Sequence, residues 1–280
     1  MTSGIDVLLM GHMTADIVPG GRMLGGTVSY AAPTYAAFGH TVGILTSAAY
    51  NESLLKYLLP YGKLMVIPAE NSLTYENIYD PEGRSQYVRA TAEPLTYGDI
   101  PNAWTDAAYV HMGPLADEVN PADVARHFPN AMVMLTLQGL MRRWDTDGRV
   151  HFKKWFDEEA FKLIDIIVYS DEDIHQYPQL TAELKQIVNH LVVTNGRNGG
   201  TYYHNGDSMR YSSIEVQPRD LTGAGDVFAA SLLGVMPKVG NDVHKAVKIA
   251  GRLAAYSVTR AGVESAPTQA EIERELEPFI

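Results

Sequence analysis

The chain has 280 residues, 46% of them hydrophobic and 20% charged, enough to bury a large core in one unit without a split into independent domains. Its net charge of −11, with 22 basic residues scattered along the chain, argues against a nucleic-acid backbone or an anionic membrane surface as partner and favours a small-molecule ligand. There are no cysteines and nine histidines, none in a metal-spaced pair such as HExxH, so thiolate metal sites and disulfides are excluded.

The elements follow in order. Asp6 to Gly11 is a short apolar run ending in glycine, as expected of a buried parallel strand. The N-terminus enters it without a basic segment and no apolar stretch approaches a membrane span, so a cytoplasmic location is expected. A hairpin is expected around Pro19 to Gly21, then a helix of small residues over Ser29 to Phe38 behind Gly25 and Gly26. Thr41 to Ala48 reads as a strand and Glu52 to Tyr61 as a helix, which gives a βαβ rhythm. Leu73 to Arg89 breaks it with alternating residues around the turn-forming Asp80-Pro81-Glu82-Gly83. The two hairpins together suggest either a small β lid or an edge extension of the main sheet. From Ala107 the alternation resumes, with strands at Ala108 to Met112, Met132 to Leu137, Ile164 to Tyr169 and His190 to Thr194. Helical segments fall at Pro121 to His127, Thr181 to Val188, Asp242 to Thr259 and Gln269 to Leu276. A single α/β domain over 1–280 is expected, with a lid built from about 13–24 and 73–98.

One stretch carries chemistry, Asp220-Leu221-Thr222-Gly223-Ala224-Gly225-Asp226, followed at once by an apolar run with helical spacing. Small residues at a helix start let an anion approach unpaired backbone N–H groups. A carboxylate there would repel the anion unless it caps the helix or accepts a proton from a nucleophile, and the local pattern leaves both open. GxxxxGK[ST], GxGxxG and GxSxG motifs are absent.

These residues resemble the ribokinase-like (PfkB) carbohydrate kinases. Gly25-Gly26, His111-Met112-Gly113-Pro114, Thr194-Asn195-Gly196-Arg197-Asn198-Gly199-Gly200 and the 220–226 stretch, which is close to the family's D-T-T-G-A-G-D signature, lie in the family's order. The resemblance implies a three-layer α/β fold with a mostly parallel sheet, helices on both faces and a small β lid. It implies ATP and Mg²⁺ as cofactors, in some members a monovalent cation such as K⁺, and a homodimer through the lid. Asp226 resembles the catalytic base and Gly223, Ala224 and Gly225 the anion hole. Thr194, Gly196, Arg197, Gly199 and Thr222 resemble the nucleotide-phosphate segment, and Ala254 lies on the helix that resembles the adenine wall. Asp16, Gly25 and Gly26 resemble the sugar-binding residues.

Two places depart from the family. Its N-x-x-E segment, which helps organise magnesium, is matched here by Ser170 and Asp173, leaving Asp173 as the candidate metal ligand; a capped helix start explains the acids at 171–173 equally well. An asparagine that meets sugar hydroxyls is replaced by Tyr30, and with Gln138 and Arg142 this resembles the myo-inositol kinase branch. The reaction implied is transfer of the ATP γ-phosphoryl group to a hydroxyl of a sugar or polyol, with ADP open as donor. The alternatives are a nucleoside kinase, with Tyr30, Tyr75, Tyr79 and Tyr87 stacking on a base, and a non-catalytic ligand sensor on a kinase fold.

Overall fold

The computed structural model describes residues 4–80 and 83–279. Alternating apolar residues send each central strand into two cores at once, because successive side chains of a strand point to opposite faces. Val7 and Leu9 of the first strand join one core while Leu8 and Met10 join the other.

The strands are β1 (Val7–Met10), β2 (Thr14–Val18), β3 (Gly21–Gly25), β4 (Val42–Ala49), β5 (Lys63–Ala69), β6 (Thr74–Asp80), β7 (Gly83–Ala90), β8 (Tyr109–Met112), β9 (Met132–Thr136), β10 (Arg142–Trp144), β11 (Val150–Phe152), β12 (Ile166–Ser170), β13 (His190–Thr194), β14 (Gly200–His204) and β15 (Asp207–Tyr211). The helices are α1 (Thr27–Ala37), α2 (Pro121–Ala125), α3 (Glu158–Leu163), α4 (Leu180–Leu184), α5 (Ala224–Gly234), α6 (Val243–Ser257) and α7 (Gln269–Leu276). A nine-stranded sheet runs in the order β15-β14-β13-β12-β9-β8-β1-β4-β5. It is parallel from β13 to β5, and β14 and β15 are antiparallel. Residues of α1, α5, α6 and α7 fill the core on one face, and α2, α3 and α4 contribute to the core on the other. This is the three-layer architecture expected. Connections leave β1 and its neighbour β8 toward opposite sides of the sheet, and the strand ends at such a reversal form the usual ligand crevice of an open α/β sheet.

The two hairpins form one separate four-stranded sheet, β3-β2-β6-β7, instead of extending the large sheet at its edge. The expected turn centred on Pro81 and Glu82 lies outside the described residues. Segment 52–61 is not the single helix expected: it forms two short 3₁₀ turns, Ser53–Tyr57 and Leu59–Tyr61. Pro60 has no N–H to continue a helix, and Gly62 follows it.

Buried Glu52 ties the small sheet to the body. Arg22 Nη1 on β3 donates to its Oε2 (2.8 Å), as does Ser72 Oγ (2.7 Å), and the Leu54 amide donates to Oε1 (3.2 Å). Burial pushes this carboxyl up, yet the Ser72, Leu54 and Arg22 contacts outweigh it and hold the pKa below its ordinary 4.5. A carboxyl lowered on folding contributes stability above its unfolded pKa and loses it as pH falls through the folded value. Glu52→Leu is therefore expected to cost about 1–3 kcal/mol in thermal or urea unfolding at pH 7, with the gap to wild type narrowing as the titration goes below pH 4.5.

Candidate active site

The loop before α5 is pinned at one end and strained at the other. Arg219 and Asp220 amides both donate to the Val258 carbonyl at the end of α6 (2.7 and 3.1 Å), and Thr222 N donates to Asp220 Oδ1 (2.9 Å). Gly223 then takes φ 79°, a left-handed conformation suited to glycine, and serves as the N-cap of α5. It lies flat on the Tyr30 ring: a Cβ there would fall 2.3–2.5 Å from the ring carbons. In the first turn, the Gly225 and Asp226 amides take no backbone acceptor among the described residues. The loop thus presents free N–H groups at the positive end of an 11-residue helix.

Gly223 is the N-cap of this helix, and no side chain, that of Asp226 included, makes a cap hydrogen bond to it. Asp226 stands at the third helical position, and the Thr27 hydroxyl in the first turn of α1 lies near enough to its carboxylate to lower its pKa. The side chain lies deep among protein atoms yet keeps part of its surface open. Loss of solvent pushes its pKa up to about 6; the Thr27 hydroxyl and the Arg142 guanidinium pull it down, and Asp173 pushes it up. The carboxyl is poised near neutrality, where a general base works best.

Gly25 and Gly26 position Thr27. Gly26, the N-cap of α1, has φ 88°, and a Cβ there would fall 2.6 Å from the His12 carbonyl oxygen. Gly113 of the 111–114 segment packs on Thr27 itself, with 2.4 Å from its would-be Cβ to Thr27 Cγ2. Thr27 was not singled out from the sequence, although a hydroxyl directly behind a double glycine at a helix start was the available signal.

Asp16 lies within β2, on the face opposite Ile17, and accepts from Thr14 Oγ1 (2.8 Å). It, Asp220 and Asp226 all act electrostatically on Tyr30. Tyr30 is 2% exposed, and its hydroxyl has no hydrogen-bond partner among the described residues. Burial, then the charges of Asp226, Asp16 and Asp220, raise its pKa, so it stays protonated. As the floor beneath Gly223 its ring offers no face for stacking on a base. Tyr75 is buried too, with its hydroxyl on the Leu115 carbonyl (2.7 Å), and Tyr87 lies under Arg89.

Arg142, half-buried at the start of β10, sits 5.8 Å from the Tyr75 ring centroid and its charge reaches Asp226; it stands on a strand, not on the surface helix of the alternative reading. Gln138 Nε2 donates to Asp173 Oδ1 (3.2 Å), and the charge of Asp173 in turn reaches Asp226. Asp173 Oδ2 accepts the Ser170 amide (3.0 Å), closing a capping box, so the capped start is realised in a 3₁₀ turn, Asp171–Ile174. Asp171 accepts from Asn195 Nδ2 (2.5 Å), joining this acidic turn to the 194–199 segment. Asn195 is the second residue the sequence reading passed over. Thr194 ends β13, Gly196–Asn198 forms a 3₁₀ turn with Arg197 exposed, and Gly199 has φ 79°. Ala254 is half-buried on α6. No three histidine, aspartate or glutamate side chains converge as a metal cage among the described residues.

The fold is ribokinase-like. Residues 158–270 match the profile described as pfkB family carbohydrate kinase. Escherichia coli fructokinase is 24% identical over 96% of this chain and 98% of its own length. Other curated relatives align over only 37% and 40% of their own length. A pyrophosphate-dependent kinase in the ribokinase family, complexed with a pyrophosphate analog and myo-inositol, superposes with a TM-score of 0.77 at 19% identity, covering 95% of this chain and 99% of that one. Arabidopsis thaliana ribokinase complexed with ribose and ATP gives 0.74 at 17% identity, covering 98% and 99%.

A carboxyl raised on folding destabilises the native state once ionised, so the sign here is opposite to that of Glu52. Replacing it by a neutral isostere removes the penalty. Asp226→Asn is expected to raise stability at pH 7 by up to about 3 kcal/mol, since one pKa unit is worth about 1.4 kcal/mol, with no gain at pH 3. Urea unfolding at the two pH values checks this.

Proposed function

We propose that the protein is a small-molecule kinase that transfers the γ-phosphoryl group of ATP to a hydroxyl of a sugar or polyol. The observation that carries the reading is Asp226, a carboxyl pushed up to about 6 beside unpaired amides at the head of α5. Such a group accepts the proton of the attacking hydroxyl as the new O–P bond forms and the γ-phosphorus bond to the leaving ADP oxygen breaks. The Gly225 and Asp226 amides face the charge that develops on the transferred group, with Gly223 and Ala224 shaping the turn before them, and Arg142 adds a positive charge. Phosphoryl transfer needs little beyond this positioning and electrostatics. Asp16 holds substrate hydroxyls, with Thr14 orienting its carboxylate. Thr194, Gly196, Gly199 and Thr222 hold the donor phosphates, Arg197 adds a charge to them, and Ala254 lies against the adenine.

Magnesium fits the donor set as an ion brought with the donor. Asp171 and Asp173 offer only oxygens and lie on the turn bonded to the 194–199 segment, and Mg²⁺ commonly keeps its waters and takes one or two carboxylates. When bound it supplies charge neutralisation on the donor phosphates. Asp173 is held by Ser170 and Gln138, so Gln138 is assigned here as a support of this acid instead of a substrate contact.

A cyclitol such as inositol is the preferred acceptor within this class, on the Arg142 guanidinium, whose charge reaches Asp226, and on the myo-inositol complex of a protein with the same fold. The nucleoside reading loses support because the Tyr30 and Tyr75 rings are buried. The sensor reading leaves the raised Asp226 without a task.

Asp226→Asn is expected to lower turnover about 10²- to 10⁴-fold while leaving donor affinity nearly unchanged. Wild-type kcat is expected to fall as pH drops below about 6, because the base becomes protonated. The assay is donor consumption against sugars, cyclitols and nucleosides, with ATP, ADP or pyrophosphate as donor and with or without K⁺. Turnover only with nucleosides, or binding of a polyol without turnover under any donor, would overturn the reading.

Homodimerisation through the small sheet belongs to the same proposal. Its outward face carries Ile17 and Ile78, 39% and 40% exposed, beside the Glu76–Arg89 ion pair. Light scattering is expected to show a dimer that Ile17→Asp/Ile78→Asp converts to a monomer.

A further inference from the structure

In a chain of net charge −11, one groove reverses the sign. It has a volume of about 390 Å³ and is lined by Arg210, Tyr211, Lys248, Arg252, Arg274 and Glu275, together with part of the C-terminal turn. None of the candidate active-site residues lines it. Its cations come from three elements: Arg210 from β15, Lys248 and Arg252 from α6, and Arg274 from α7.

Four cations line the groove against one carboxylate, Glu275, whose charge reaches both Arg252 and Arg274. Glu275, 3% exposed, pairs with Arg252 through both carboxylate oxygens and also accepts the Tyr256 hydroxyl (3.0 Å). Arg274 lies 6.0 Å from the Tyr256 ring centroid, and Arg210 and Lys248 have no carboxylate partner among the described residues. Lys248 and Arg252 are four apart on α6, a like-charge spacing that costs a helix a few tenths of a kcal/mol unless something uses it. A lone arginine on an edge strand is explained by the need to discourage strand pairing, and β15 is such an edge. That accounts for Arg210 alone and not for Lys248 and Arg274 facing the same space.

We propose that this groove is a second anion site that takes a polyphosphate group, separate from the phosphoryl-transfer site. Four cations against one carboxylate in the lining suit a ligand of about three negative charges, and guanidinium forks pair with phosphoryl oxygens in bidentate fashion. A concave wall with an excess of one charge sign also concentrates counter-ions more strongly than a flat one. The groove touches the donor segment through the chain itself: a side chain at Gly199 would run 2.1 Å from the Tyr211 carbonyl oxygen and 2.9 Å from Ser212 Cα. Gly251 of α6 packs on the Tyr211 ring in the same way, at 2.9 Å. Occupancy of the groove therefore bears on the backbone that supports the 194–199 turn.

The site does not depend on the kinase reading, and its test needs no turnover. Calorimetric titration of sodium tripolyphosphate at fixed ionic strength, with hydrogen exchange followed over 207–212 and 244–256, compares wild type with Arg210→Gln/Lys248→Gln. Both substituted side chains reach solvent, so matched thermal melts establish that the double variant is folded. The expected result is protection of both segments in wild type, lost in the variant together with at least about a tenfold weakening of that binding event. A parallel arm with ATP separates the sources: protection by ATP assigns a nucleoside-borne polyphosphate, and protection by tripolyphosphate alone assigns an inorganic one. Protection confined to 194–199 and 222–226, an unchanged affinity in the double variant, or equal displacement by sulfate would overturn the proposal.

Discussion

Thr27 and Asp226 meet where the heads of two helices, α1 and α5, that pack side by side in the same core come together. Most of the site depends on those heads meeting at one point. Gly26 lets α1 begin against the His12 backbone, Gly113 leaves room for the Thr27 side chain, and Gly223 lets α5 begin on the Tyr30 ring. Each removes a Cβ where a neighbouring group already stands. The result is a carboxylate beside free helix amides: the amides attract an anion that the carboxylate would repel unless it faces a proton donor.

Charge balance around Asp226 follows from which elements reach it. Burial raises its pKa and Asp173 adds to that, while Thr27 and Arg142 restrain the rise. Fully ionised with a low pKa, it would be a weak base; fully neutral, it would be none. Tyr30 adds a protonated, unpartnered hydroxyl amid Asp16, Asp220 and Asp226 without adding charge. On the donor side, the Asn195–Asp171 bond ties the glycine turn to the acidic turn, so the groups proposed to hold donor phosphates and metal are one connected piece.

Much of this was legible in the sequence wherever local chemistry decides the outcome. β13 and α7 coincide with the segments expected, His190–Thr194 and Gln269–Leu276, the first as a buried apolar run and the second with its Thr268–Glu271 capping box. β5 escaped notice because Pro68 argues against a central strand; it is an edge strand, where proline is tolerated. β10, β11 and β15 are short and largely exposed, without a clean apolar alternation to reveal them. In the site, Gly223 and Asp226 stood out because a helix start beside glycines has a local signature. That Tyr30 forms the floor beneath Gly223, or that Gln138 serves Asp173, depends on contacts between residues distant in the chain, which no local pattern encodes.

The account rests on the protonation state of one carboxyl, and that can be observed directly. With aspartate carboxyl carbons labelled with ¹³C, the Asp226 signal is assigned as the one missing from Asp226→Asn and is then followed by NMR from pH 3 to pH 9. A titration midpoint near 6 is predicted, moving upward in Arg142→Leu as the restraining positive charge is lost. A midpoint at the ordinary 3.8, unmoved by Arg142→Leu, would contradict the picture of Asp226 as a buried, near-neutral base.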